Sequence, residues 1–103
     1  MEPNPSALKQ TTLKPCDGRF AFFVCRGDVI TSIQDLANCI QSLNDTQFKT
    51  HVNDKKNDFA AWIFNVLKNP FLARDLDNPS NKGDKSKYVK TIRDHCAWLA
   101  SAA

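Results

Sequence analysis

Apolar positions in this chain recur with two different periods, and the change of period marks the elements. Phe20-Ala21-Phe22-Phe23-Val24-Cys25 is an aromatic and β-branched run, Arg26-Gly27-Asp28 interrupts it, and Val29-Ile30 resumes it. Two short apolar runs around a Gly-containing turn predict a β-hairpin. An isolated hairpin is marginal in water, so one face is expected to pack on helices.

From Ser32 onward the spacing is helical. Ile33, Leu36, Ala37, Ile40 and Leu43 form one stripe. Ser32 with Asp35 approximates a capping box, in which hydroxyl and carboxylate each satisfy an orphan backbone N–H. Asn44-Asp45 stops this helix and can cap a short second one over 46–52, with Phe48 and Val52 as its apolar edge. After the polar break Asn53-Asp54-Lys55-Lys56, Asn57 can cap a third helix, with Asp58 at the positive end of its dipole. Phe59, Trp62, Ile63, Val66 and Leu67 form the buried face of that helix. Asn69-Pro70 ends it and opens a fourth, because proline suits the first helical position. Phe71, Leu72 and Leu76 are the expected buried residues there.

Residues 77–84 carry Pro79 and Gly83 among small polar side chains and read as a surface loop. The last helix is expected over 85–100, burying Tyr88, Val89, Ile92, Cys96 and Leu99. Residues 1–18 contain Pro3, Pro5 and Pro15 with few large apolar side chains, and read as a flexible tail before a single domain at 19–103. The expected fold is therefore mainly α, with four to five short helices and a short N-terminal β-hairpin.

Composition narrows the function classes. At 103 residues and 42% hydrophobic, the chain holds one modest core, and a deep catalytic pocket would compete with that core for the same aromatics. The net charge of +3 permits contact with nucleic acid without demanding it. No stretch approaches the roughly 18–20 apolar residues that span a bilayer, so membrane insertion is not expected. The first residues lack an apolar run behind a basic start, which points to a cytoplasmic protein. Cys16, Cys25, Cys39 and Cys96 lack the close pairing of a zinc site, and the adjacent His95-Cys96 does not replace it. Buried or half-buried free thiols are expected, and no cofactor.

Three groups of residues invite a functional reading. His51, Asn57 and Asp58 lie in the densest polar and aromatic segment, and a carboxylate can orient an imidazole for acid–base work. Nothing beside them nominates a nucleophile or electrophile, and helix capping explains the same residues. Lys87, Lys90 and Arg93, with Lys82 and Lys85, give the C-terminal third a basic bias that fits a solvated helix face or phosphate contact. Phe64 and Trp98 fall off the buried stripes of their helices. Either the hairpin or the tail covers them, or they belong to an exposed patch that binds a partner, as aromatic rings often do. Phe23 on the hairpin is a third nominee. Arg26-Gly27-Asp28 matches a cell-adhesion tripeptide, which a Gly-centred turn also explains.

Residues 20–76 also carry Phe22-Phe23 and Gly27 leading into Val29-Ile30, then Ser32-Ile33 with Asp35-Leu36. His51-Val52-Asn53, Lys56-Asn57-Asp58-Phe59, Trp62-Ile63, Leu72-Ala73 and Leu76 follow. In these residues the chain resembles a family of small archaeal and bacterial domains of unknown function. The resemblance implies a shared fold and brings no activity with it. It leaves a binding role for His51, Asn57 and Asp58 open, although recurring caps would look the same.

The first expectation is thus a non-enzymatic module that contacts a protein partner through Phe23, Phe64 or Trp98. Nucleic-acid binding through Lys87, Lys90 and Arg93 is the alternative. A small enzyme or ligand site at His51 and Asp58 comes last.

Overall fold

A computed structural model describes residues 4–81 and 83–101. Within them the chain is mainly helical, with a two-stranded antiparallel hairpin near the start. The order is α1 (Pro5–Thr12), a single 3-10 turn (Gly18–Phe20), β1 (Phe22–Phe23), β2 (Val29–Ile30), α2 (Ile33–Ser42), α3 (Asp45–His51), α4 (Asp58–Asn65), α5 (Pro70–Asp77) and α6 (Lys85–Ala100). No helix among the described residues is long and apolar enough to cross a membrane.

Capping explains why the helices start where they do. Asn4, Ser32, Asn44, Asn57, Asn69 and Asp84 stand at the six N-caps, and each side chain accepts a backbone N–H of the first turn. Asparagine, serine and aspartate suit this position because a short side-chain oxygen reaches donors that have no partner inside the helix. Pro5 and Pro70 follow two of these caps, where a missing N–H costs nothing. Ser32 supplies the hydroxyl half of the expected box, accepting from Asp35 N at 3.1 Å. The full reciprocal pair forms instead at α3, between Asn44 and Gln47.

The apolar stripes then determine the packing. α2 lies against α6 and α4 against α5, while α1 and α5 both contact α6. Ile33, Leu36 and Ile40 of α2, Ile63 of α4, Leu72 and Leu76 of α5, and Ile92 of α6 are fully buried. Each stabilises the fold by about 1.5–3 kcal/mol through burial alone. A ring cluster joins the hairpin to this core: Phe22 lies 5.2 Å from Phe59, and Phe48 meets Tyr88 edge-on at 5.2 Å. Edge-on and tilted arrangements suit the ring quadrupoles.

Two expectations need correction. The segment read as a flexible tail contains α1, whose Leu8 and Thr12 are buried against the rest of the molecule. Asn4-Pro5 opens that helix, and its contact with α6 supplies what its weak apolar pattern does not. Residues 1–3 of the tail lie outside the described residues. The strand expected over 20–25 shrinks to Phe22–Phe23. Asp17 caps the 3-10 turn by accepting from Arg19 N, and Trp62 Nε1 donates to the Phe20 carbonyl at 2.8 Å, which hold Phe20 out of the strand.

Candidate functional site

His51 ends α3 and Asp58 opens α4, and the short turn between them brings the side chains together. The turn closes through Val52 pairing with Asn57 and through Asn53 N donating to the Lys56 carbonyl at 3.0 Å. His51 Nδ1 lies 2.9 Å from Asp58 Oδ2, and Lys56 Nζ donates to the same oxygen at 2.9 Å. The other ring nitrogen, Nε2, accepts the backbone N–H of Cys25 at 3.0 Å. An N–H aimed at Nε2 requires a lone pair there, so the proton sits on Nδ1 and donates to Asp58. Burial alone would raise the Asp58 carboxyl, but the hydrogen bonds from Lys56 and His51 outweigh it and hold the group below its usual range.

This arrangement makes the imidazole a clasp. Its ring is buried between Phe22 at 5.2 Å and Phe59 at 5.3 Å, with both nitrogens engaged. Through it the hairpin turn is tied to α3 and α4. A general base needs a lone pair facing a substrate, and Nε2 faces Cys25 instead. Asn57, adjacent in sequence, turns elsewhere. Its amide donates to the Tyr88 hydroxyl at 2.7 Å and to Asp77 Oδ1 at 3.1 Å, while its oxygen caps α4 through Ala60 N at 3.1 Å. Burial pushes the Tyr88 phenol up to about 12 despite the Asn57 hydrogen bond. The structure therefore joins His51 to Asp58 and directs Asn57 towards α5 and α6.

The hairpin has two unlike faces. Phe22 pairs with Ile30 and both point inward, while Phe23 pairs with Val29 and both point outward. Phe23 is 67% exposed, Val29 58% and neighbouring Phe20 55%. Phe20 and Val29 are not among the sequence nominees, although period-2 alternation across from Phe23 marks Val29 as its outer-face partner. Arg26 and Asp28 at the turn clasp each other at 2.7 Å, and Arg26 Nη2 donates to Ser42 Oγ at 2.7 Å. These bonds give the adhesion-like tripeptide a structural task at the end of α2. Cys25 corrects another expectation: its backbone N–H is bound to His51, but its side chain is exposed, with Sγ 3.9 Å from the Gln47 carbonyl oxygen.

Phe64 and Trp98 are also exposed, so neither the hairpin nor α1 covers them. Phe64 lines a groove of about 440 Å³ between α4 and α5, together with Ala60, Ala61, Ala73 and Arg74. Trp98 packs on the His95 ring at 5.3 Å. The basic residues of α6 are engaged within the chain. Lys85 Nζ donates to the Leu43 carbonyl, Lys87 Nζ to the Ser80 carbonyl at 2.9 Å, and Lys90 pairs with Asp94. Arg93 reaches Asn38 and Gln41 of α2, each at 2.9 Å. Lys82 lies outside the described residues.

No protein-family model matches the chain, and neither a curated protein nor a solved structure matches it.

Proposed function

We propose that this chain is a non-enzymatic interaction module, or a subunit of an assembly, acting in the cytoplasm and contacting a protein through the outer face of its hairpin. The observation that carries the reading is the exposure of Phe23 and Val29 as a cross-strand pair, with Phe20, three positions before Phe23 in the chain, exposed as well. Aromatic side chains left in water at one place are the usual anchors of a protein interface, since covering them releases apolar surface. The inward partners, Phe22 and Ile30, already fix the hairpin to the core, so the outer pair is free of that duty. Phe64 and Trp98 lie on α4 and α6 and form separate, secondary nominees. A cytoplasmic setting suits an exposed thiol such as Cys25, which stays reduced there.

The test replaces Phe23 and Val29 together with Thr, which preserves strand propensity, and Phe64 and Trp98 singly with Ser. Each protein serves as bait in its native host, with captured proteins quantified by mass spectrometry and stability measured by urea unfolding. The reading expects the hairpin variant to lose its captured partner while its stability stays within about 0.5 kcal/mol of the parent, as for exposed positions generally. Undiminished capture by that variant removes the hairpin from consideration.

A further inference from the structure

The groove between α4 and α5 has two distinguishable ends. The helices are joined by the short turn at 66–69, and Asn65 and Pro70 line the groove on that side. At the far end Asn57 Nδ2 donates to Asp77 Oδ1 at 3.1 Å, tying the start of α4 to the last residue of α5. Between the ends the lining recurs at helical spacing, with Ala60, Ala61 and Phe64 on α4 and Ala73, Arg74 and Asp77 on α5. Ala60 and Ala73 are buried, while Phe64, Arg74 and Asp77 are exposed. The middle of the groove is therefore lined by small side chains, with a large ring left in water beside them.

The two charges of the groove are opposite in sign and stand apart. Arg74 and Asp77 are three positions apart on α5, a spacing at which side chains can meet. Instead the Arg74 guanidinium carbon lies 5.8 Å from the centre of the Phe71 ring, leaning towards the start of α5 and so towards the turn. Asp77 stays with Asn57 at the far end. Among the described residues neither charge has an oppositely charged partner. A cation thus lies towards one end of the groove and an anion at the other.

We propose that this face binds a second copy of the chain, the two grooves meeting antiparallel about a two-fold axis near Ala61 and Ala73. In a two-fold contact residue i of one copy meets residue j of the other, and j meets i. Exchanging the ends of the groove therefore sets each Arg74 against the Asp77 of the other copy and makes two ion pairs at once. It also carries each Phe64 ring towards the alanines of the facing groove, which supply the room. A parallel arrangement would set Arg74 on Arg74 and Asp77 on Asp77, so the charges select the antiparallel one. An unrelated protein would have to supply both halves of this pattern, whereas a second copy carries them already. The contact is separate from the hairpin surface, because Phe23 and Val29 lie on neither α4 nor α5.

The experiment is analytical ultracentrifugation of the full chain at rising concentration, in low and in high salt. The parent should pass from monomer to dimer, with a dissociation constant that rises with salt because the paired charges are exposed. Arg74→Asp puts two anions at each contact and Asp77→Arg two cations, and each should weaken the dimer roughly tenfold or more. The double variant should recover it. An equimolar mixture of the two single variants should form a heterodimer, since one brings only anions and the other only cations. That recovery also shows both variants to be folded, which circular dichroism checks separately. Phe64→Ser should weaken the dimer, and Phe23→Thr with Val29→Thr should leave it unchanged. A parent that stays monomeric up to about 1 mM, the weak end of specific association, overturns the proposal. So does a dimer indifferent to salt, a measurement that needs no variant, or one lost with the hairpin pair. Single swaps without effect, or no recovery in the double variant and the mixture, overturn it equally.

Discussion

Replacing Asn57 separates the structural role of the polar cluster from a binding role. In the folded chain its oxygen caps α4, while its amide reaches the buried Tyr88 hydroxyl across the core. Asn57→Ala removes both. Loss of an Asn cap costs about 1 kcal/mol, and a buried phenol without its donor costs about 1–3 kcal/mol, so the total should be near 3 kcal/mol. The bond to Asp77, on the exposed side, adds little. Asn57→Ser retains a capping oxygen but is too short to reach Tyr88, and should cost about 2 kcal/mol. In a Tyr88→Phe background the hydroxyl is gone already, and Asn57→Ala should then cost only the cap, about 1 kcal/mol. Urea unfolding measures all of these. At a slope of roughly 1–1.5 kcal/mol/M the midpoint of Asn57→Ala should fall by about 2–3 M. Equal losses for Asn57→Ala and Asn57→Ser would refute the assignment to Tyr88, as would a cost for Asn57→Ala that is the same with and without the phenol. Retained partner capture by Asn57→Ser would confirm that the amide acts within the fold.

Other regions give equally direct tests. Asp58 is held below its unfolded pKa, so its contribution is complete above about pH 4 and disappears as pH falls through the folded value; Asp58→Asn should flatten this acid limb of a stability-against-pH curve. Iodoacetamide at neutral pH should modify the exposed Cys25 first, with Cys39 and Cys96 last, because both are buried and burial pushes the Cys96 thiol up to about 11; peptide mapping at early times gives the order. Lys68 follows α4 in the left-handed conformation with φ +55°, so Lys68→Gly should stabilise the protein by about 0.5–1 kcal/mol in thermal or urea unfolding.

What could be read in the sequence was local. Ser32, Asn57 and Asn69-Pro70 announce helix starts because a cap needs only a short side chain and the next three residues. The stripe Ile33, Leu36, Ala37 and Ile40 announces a buried face because helical geometry alone aligns it. The limits of α6 follow from the same signals. The pairing of His51 with Asp58 was also within reach, seven positions apart across a short polar break.

Tertiary structure decided everything that depends on distant segments. α1 has too little apolar surface to announce itself, and its Thr12 is secured by Asn69, 57 positions away. The donor to His51 comes from Cys25, 26 positions away, and turns a possible acid–base pair into a clasp. Asn57 and Asp58 are neighbours in sequence, yet the start of α4 sends their side chains to opposite duties. Caps and stripes are set by one or two turns of chain, whereas the roles of His51 and Asn57 are set by which donor or acceptor the folded core brings within 3 Å of them.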